Sequence, residues 1–176
     1  MASCGNSSDI NQDSQGHNLV NSEFSIEDHE EYAEKIQDER GLTKEEADEE
    51  AFRVQLNELA VINRAIAVGI SVSEEEALRK SQEIREVLKN GEAKNASEVM
   101  ASIQKEIGQL EISEDEYWNE YMLSNYTHMV MREKLMEYER THSGISWNER
   151  QQEIIEEFIA SEKRRINEFK RKIGMK

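Results

Sequence analysis

Apolar residues return every three or four positions along most of the chain, the period of helices that each bury one face. Where these runs begin, a Ser or Thr often stands three residues ahead of an acid, so that hydroxyl and carboxylate can cap the first turn. Ser25 with Asp28 opens a first helix, acidic and weakly amphipathic, that should end at Gly41. Thr43 with Glu46 opens a long second helix running to Gly69, a natural left-handed stop. Phe52, Leu56, Leu59, Ile62 and Ile66 form one of its faces, and Val54, Val61, Ala65 and Val68 cover the opposite one. From Leu59 onwards it is therefore predicted to be enclosed, the hub of the fold.

Ser73 with Glu76 caps a third helix, carrying Ala77, Leu78, Ile84 and Leu88 to a stop near Gly91. A fourth, from about Ser97 to Leu110, spaces Met100, Ile103 and Ile107 at intervals of three and four. Ser113 with Glu116 opens a fifth that continues to about His142, and Ser146 with Glu149 opens a sixth. The sixth carries Trp147, Ile154, Phe158, Ile166, Phe169 and Ile173 on one stripe; as an unbroken rod of roughly 27 residues it would be about 40 Å long, enough for part to project. The prediction is an all-α fold of about six helices, the last packing back on the rest.

Composition agrees. The chain has no proline and is 34% charged, which favours helix nearly everywhere. A net charge of -16, from 22 basic and 38 acidic residues, argues against nucleic acid as a partner, because that affinity comes from cations that displace counterions. The basic residues gather late, from Lys163 to Lys176, where they either complement a helix C-terminus or mark a basic contact surface. One cysteine excludes an intrachain disulfide and a multi-cysteine metal site, and no run reaches the roughly 18 apolar residues that span a bilayer.

Residues 1–22 read as a disordered polar tether and 23–176 as one helical domain. Ala2-Ser3-Cys4 is similar to the end of a bacterial lipoprotein signal, although the charged and apolar parts of such a signal do not precede it. Lipidation of Cys4 would hold the domain at a bacterial membrane outside the cytoplasm, the protein's one expected route to a membrane; otherwise Cys4 is an incidental thiol and the location cytoplasmic.

Candidate chemistry is sparse. Nucleophilic catalysis needs Cys4 or a serine beside a base, yet His17 lies on the tail, His29 on the acidic helix, and His128 and His142 on the fifth. Glu139-Arg140-Thr141-His142 is a lone Glu-x-x-His, where a helical metal centre uses two plus further carboxylates. No phosphate-binding glycine loop occurs. No enzymatic activity, cofactor or metal is expected. The unusual feature is the fifth helix, on which Trp118, Met122, Met129 and Met136 form one stripe and Tyr117, Tyr121, Met131, Leu135 and Tyr138 a second. Two such stripes suit packing against the core and the sixth helix, or a partly open groove whose flexible Met and amphipathic aromatic side chains accept varied apolar partners.

The order of parts bears on that choice. An apolar helix ending in Ala65-Ile66-Ala67-Val68-Gly69-Ile70-Ser71-Val72-Ser73-Glu74-Glu75-Glu76, an amphipathic helix, a loop, another helix, and Ser113-Glu114-Asp115-Glu116-Tyr117-Trp118 leading a long helix together resemble the N-terminal chaperone domain of SurA-type foldases. The likeness covers about 43–138, and the long helix at 146–173 is similar to one that packs back on that domain. Val20-Asn21-Ser22-Glu23 looks like that family's strand entry, with Ser22 where Gly is usual. Only Thr141 to Ser146 separates the last two helices, which leaves no room for the parvulin isomerase usual there. The resemblance implies a chaperone-like module that binds unfolded or apolar polypeptide segments, with Trp118, Tyr121, Met122, Met129, Met136 and Phe158 as candidate contacts and the acidic body favouring basic clients. The alternative is an assembly protein that pairs its final helix with a second copy, as a homodimer, or with a dedicated partner.

Overall fold

The computed structural model describes residues 20–175, and every regular element among them is helical. In order these are α1 (Ile26–Arg40), α2 (Lys44–Ala67), α3 (Glu74–Lys89), α4 (Ala96–Leu110), α5 (Glu114–Glu116), a π-helical turn (Tyr117–Tyr121), α6 (Leu123–His142), α7 (Trp147–Ser161) and α8 (Lys163–Lys172). Thr43/Glu46, Ser73/Glu76, Ser113/Glu116 and Ser146/Glu149 each close a reciprocal capping box, so α2, α3, α5 and α7 begin where the sequence predicts. Ser25 caps α1 by accepting from the Asp28 N–H at 3.1 Å.

Gly69, at φ +81°, ends α2: its N–H donates to the Ile66 carbonyl at 3.0 Å and that of Ile70 to Ala65 at 2.9 Å, which satisfies two of the helix's last acceptors. Lys134 of α6 then holds the linker to α3, donating to the Ser71 carbonyl at 2.9 Å and pairing with Glu76 at 2.6 Å.

α2 is the hub. Leu56, Leu59, Ala60, Val61, Ile62 and Ala65 pack with Met131 and Leu135 of α6, Ile154, Ile155 and Phe158 of α7, and Ile166 and Phe169 of α8. α1 docks through a second, smaller cluster, in which Ala33 and Ile36 meet Ala47 and Ala51 of α2. A third gathers Ile107, Tyr117, Trp118 and Tyr126, with partly buried side chains of α3 and α4 around them.

Four expectations change. Eight helices replace about six, because each of the two longest is interrupted. The fifth keeps its ends but contains the π turn, where the Met122 N–H reaches back to the Tyr117 carbonyl at 2.9 Å. The sixth breaks at Glu162, where the Ser161 hydroxyl donates to the Phe158 carbonyl at 3.1 Å, a back-bond of the kind that bends helices. No rod projects from the fold: α8 lays Phe169 against Phe24 and Phe52, with ring centroids at 4.6 and 6.3 Å. Finally, the described chain is pinned before residue 23. Val20 is buried, and the Ser22 carbonyl accepts from Asn63 at 3.1 Å and Arg165 at 3.4 Å, with no strand among the described residues.

Candidate functional site

A cleft of about 580 Å³ opens between α1, α2 and the π turn with the start of α6. Helical spacing builds its walls. Asp28, Glu31, Tyr32 and Lys35 lie along one stripe of α1, and Ala51, Val54, Gln55, Glu58, Leu59 and Ile62 along one of α2. The third wall is Tyr117, Tyr121 and Met122, continued by Ser124, Asn125 and His128 of α6. Asn21, Glu23 and Glu106 complete the rim.

The π turn makes the third wall aromatic. With more than four residues to the turn, Tyr117 and Tyr121 fall on one side and stack, with centroids 5.5 Å apart and planes at 28°. Tyr117 donates its hydroxyl proton to Glu106 at 2.9 Å; burial and this carboxylate push the phenol well above its ordinary range. Tyr121 is raised also, by burial and then by Glu106 and Glu31. Both stay neutral and protonated.

The cleft is acidic. Glu23, Asp28, Glu31, Glu58 and Glu106 face it, against the single ammonium of Lys35. Glu58 is exposed to the cleft yet crowded by its walls; burial raises its pKa, Arg132 lowers it, and Asp28 raises it. His128 is held below its ordinary value by burial, with Asp28 acting in opposition. Its Nε2, and Oε1 of Gln55, have no hydrogen-bond partner, while the Gln55 amide donates to the Ser25 carbonyl at 3.0 Å. Ser124 and His128 share a stripe, but no hydrogen bond joins them into a nucleophile and base. Among the described residues no three His, Cys, Asp or Glu side chains converge as a metal site requires, and no helix is long and apolar enough to cross a membrane.

The candidate contacts separate. Tyr121 and Met122 line the cleft. Met129 and Met136 are exposed farther along α6, outside it. Trp118 is fully buried and Phe158 is in the main core, so neither presents a surface to a ligand. Trp118 lies within the π turn, where the Ser81 hydroxyl donates to its carbonyl at 2.6 Å. Cys4 lies outside the described residues. The sequence reading missed the α1 and α2 walls; the signal available was Gln55 and Glu58, two polar residues interrupting the otherwise apolar stripe of Ala51, Val54, Leu59 and Ile62.

A second concavity, about 320 Å³, lies over a buried ion cluster. Glu139 of α6 accepts from Arg64 of α2 at 2.7 Å and Arg150 of α7 at 2.9 Å; Arg150 also reaches Glu153 and Glu157 at 2.9 and 3.0 Å. Burial pushes the Glu139 carboxyl up, but the two arginines outweigh it and hold the pKa below the ordinary range. Glu139 thus belongs to a structural joint, while His142 bonds the Tyr138 carbonyl through Nδ1 at 2.6 Å.

The fold and cleft define an acidic, all-helical protein with a pocket of mixed character. No family model matches the chain, and no solved structure does. It is 70% identical over 159 residues to the glutamate-rich protein GrpA of Alkalihalophilus pseudofirmus OF4, an alignment covering 90% of this chain and all of that protein. The chain belongs to the GrpA family. That name describes a composition, and this chain shares it, with 38 Asp and Glu residues.

Proposed function

We propose that this protein is a non-enzymatic, chaperone-like module that binds apolar segments of other polypeptides in the cleft between α1, α2 and the π turn. One observation carries the reading: Val54, Tyr121 and Met122, with core Leu59 and Ile62 at its floor, line an open concavity in a chain whose other large apolar residues are mostly in its cores. Aromatic and Met side chains supply contact area without demanding one sequence. The SurA-like order of helices supports the same role, with the site relocated from the second, fifth and sixth helices to α1, α2 and the π turn. Attachment through a lipid on Cys4, outside the cytoplasm, remains part of the proposal and rests on the Ala-Ser-Cys sequence alone.

The competing reading pairs the final helix with a second copy or a dedicated partner; Phe158 and Phe169, buried within one chain, would not form that contact. The test is a peptide array and an aggregation assay with an unfolded client at equimolar protein. Binding that Tyr121→Ala and Val54→Asp both weaken is the expected result. An array without signal, together with undelayed aggregation, refutes the proposal.

A further inference from the structure

The cleft makes no use of the basic residues near the C-terminus. α8 carries six of them, Lys163, Arg164, Arg165, Lys170, Arg171 and Lys172, against one acid, Glu168, in a chain whose net charge is -16. The helix dipole accounts for half: Lys170, Arg171 and Lys172 fill the last turn, where cations are favoured. Lys163, Arg164 and Arg165 fill the first turn, where the helix's own dipole disfavours them and no acid stands. Packing does not require them either. α8 buries Ile166 and Phe169 and lays Lys170 over the Phe52 ring, while Lys163, Arg164, Arg171 and Lys172 are exposed. Arg164 pairs with Glu168 and Arg165 with Glu162, but among the described residues no acid pairs with Lys163, Arg171 or Lys172.

The described chain also begins against this helix. Val20 is buried in the core that holds Ile166 and Phe169, the Ser22 carbonyl accepts from Arg165 at 3.4 Å, and Phe24 stacks on Phe169 with centroids 4.6 Å apart. Residues upstream of Val20 therefore join the domain beside α8.

We propose that the exposed face of α8 seats the domain on an anionic lipid bilayer, with Lys163, Arg164, Arg171 and Lys172 meeting the headgroup phosphates. This rests on the Cys4 attachment in the reading above and adds the face that meets the membrane. A lipid on Cys4 would hold the chain to a surface but choose no face. The fifteen residues between Cys4 and Val20 reach no more than about 55 Å, and seating the face beside Val20 asks least of that length. Charge makes the same choice. The rest of the chain carries the whole acidic excess and is repelled by anionic lipid, whereas each cation brought to such a surface strengthens binding roughly fivefold. An acidic protein, such as a second copy of this chain, would match the same cations; the entry of the chain beside α8 favours the bilayer.

The experiment couples the full chain through Cys4, its one cysteine, to maleimide lipid in vesicles of phosphatidylcholine alone or with phosphatidylglycerol added, at low salt. Brief acetylation read by mass spectrometry then reports each lysine. Lys163 and Lys172 should react at least about threefold more slowly on the anionic vesicles, while Lys94 and Lys105, exposed before and on α4, keep their rates. Arg171→Gln with Lys172→Gln, at two exposed positions, should return Lys163 most of the way to its rate on neutral lipid and leave the urea midpoint little changed. Equal rates at Lys163 and Lys172 on the two lipids overturn the inference, as does slowing spread evenly over all four lysines. Slowing on both lipids that grows with the density of coupled protein shows a second copy covering α8, and overturns it too. None of these outcomes touches peptide binding, which the array reads separately. An unmodified Cys4 in protein from its native cells refutes the anchor; the α8 inference then stands if the uncoupled chain sediments with anionic but not neutral vesicles, and falls if it stays in solution.

Discussion

His29 shows what a single buried side chain does to this fold. It is 2% exposed, its ring meets Phe169 edge-on at 5.8 Å, and neither ring nitrogen has a hydrogen bond, although Asp48 stands 3.6 Å from Nε2. Burial holds its pKa below the ordinary value of 6.5, and the pull of Asp48 only partly offsets this. The unfolded chain therefore takes up a proton first as pH falls, and stability is lost from about pH 6.5 downwards until the folded pKa is passed, at no more than about 1.4 kcal/mol per unit. His128, also lowered by burial, acts with the same sign, while Glu58, raised by burial, acts oppositely at lower pH. Urea midpoints should fall between about pH 7.5 and 5.5 in the natural protein and fall less in His29→Phe. An unchanged slope in the variant would show that the ring does not titrate as argued.

At the scale of elements, three helices depend on Glu139. Arg64, Glu139 and Arg150 sit on α2, α6 and α7, and Glu139 is only 3% exposed at its side chain. Glu139→Gln leaves two guanidinium groups facing a neutral amide in a largely buried joint, and should cost about 3 kcal/mol by chemical denaturation. Arg150 keeps Glu153 and Glu157, so the loss falls mainly on the tie to α2; a cost under about 1 kcal/mol would class the cluster with ordinary surface pairs.

Elements also differ in how openly the sequence announces them. Helix starts were legible because a capping box is a local pattern, and α2 was legible as the hub because both its faces are apolar. The π turn was not, since one extra residue inside a helix leaves the composition unchanged and shifts only the register. A 3.6-residue wheel therefore groups Trp118 with Met129 and Met136, although Trp118 is buried beside Tyr117 and the two methionines are exposed. The break at Glu162 was hidden likewise, because Ser161 is a common residue until its hydroxyl bonds the Phe158 carbonyl. The α1 wall of the cleft depends on how α1 packs against α2, which one helix's period does not encode.

Over the whole molecule the excess of acid works against compactness and for recognition. A net charge of -16 repels itself across a small fold, while α8, with Lys163, Arg164, Arg171 and Lys172, offers only local relief. Salt acts unequally on these forces. At about 0.1 M the Debye length is near 10 Å, so repulsion between distant carboxylates is screened, while the largely buried Glu139 joint is less affected. Exposed ion pairs such as Arg164 with Glu168 contribute little and lose little. Thermal midpoints should therefore rise as sodium chloride is raised from about 10 mM to 300 mM. Over the same range a basic apolar peptide should bind more weakly, because its attraction to the five cleft carboxylates is screened. Stability and binding thus move in opposite directions with one variable. If both fall, surface ion pairs rather than net repulsion govern stability; if binding holds while stability rises, the contacts in the cleft are apolar and its acidic rim adds nothing.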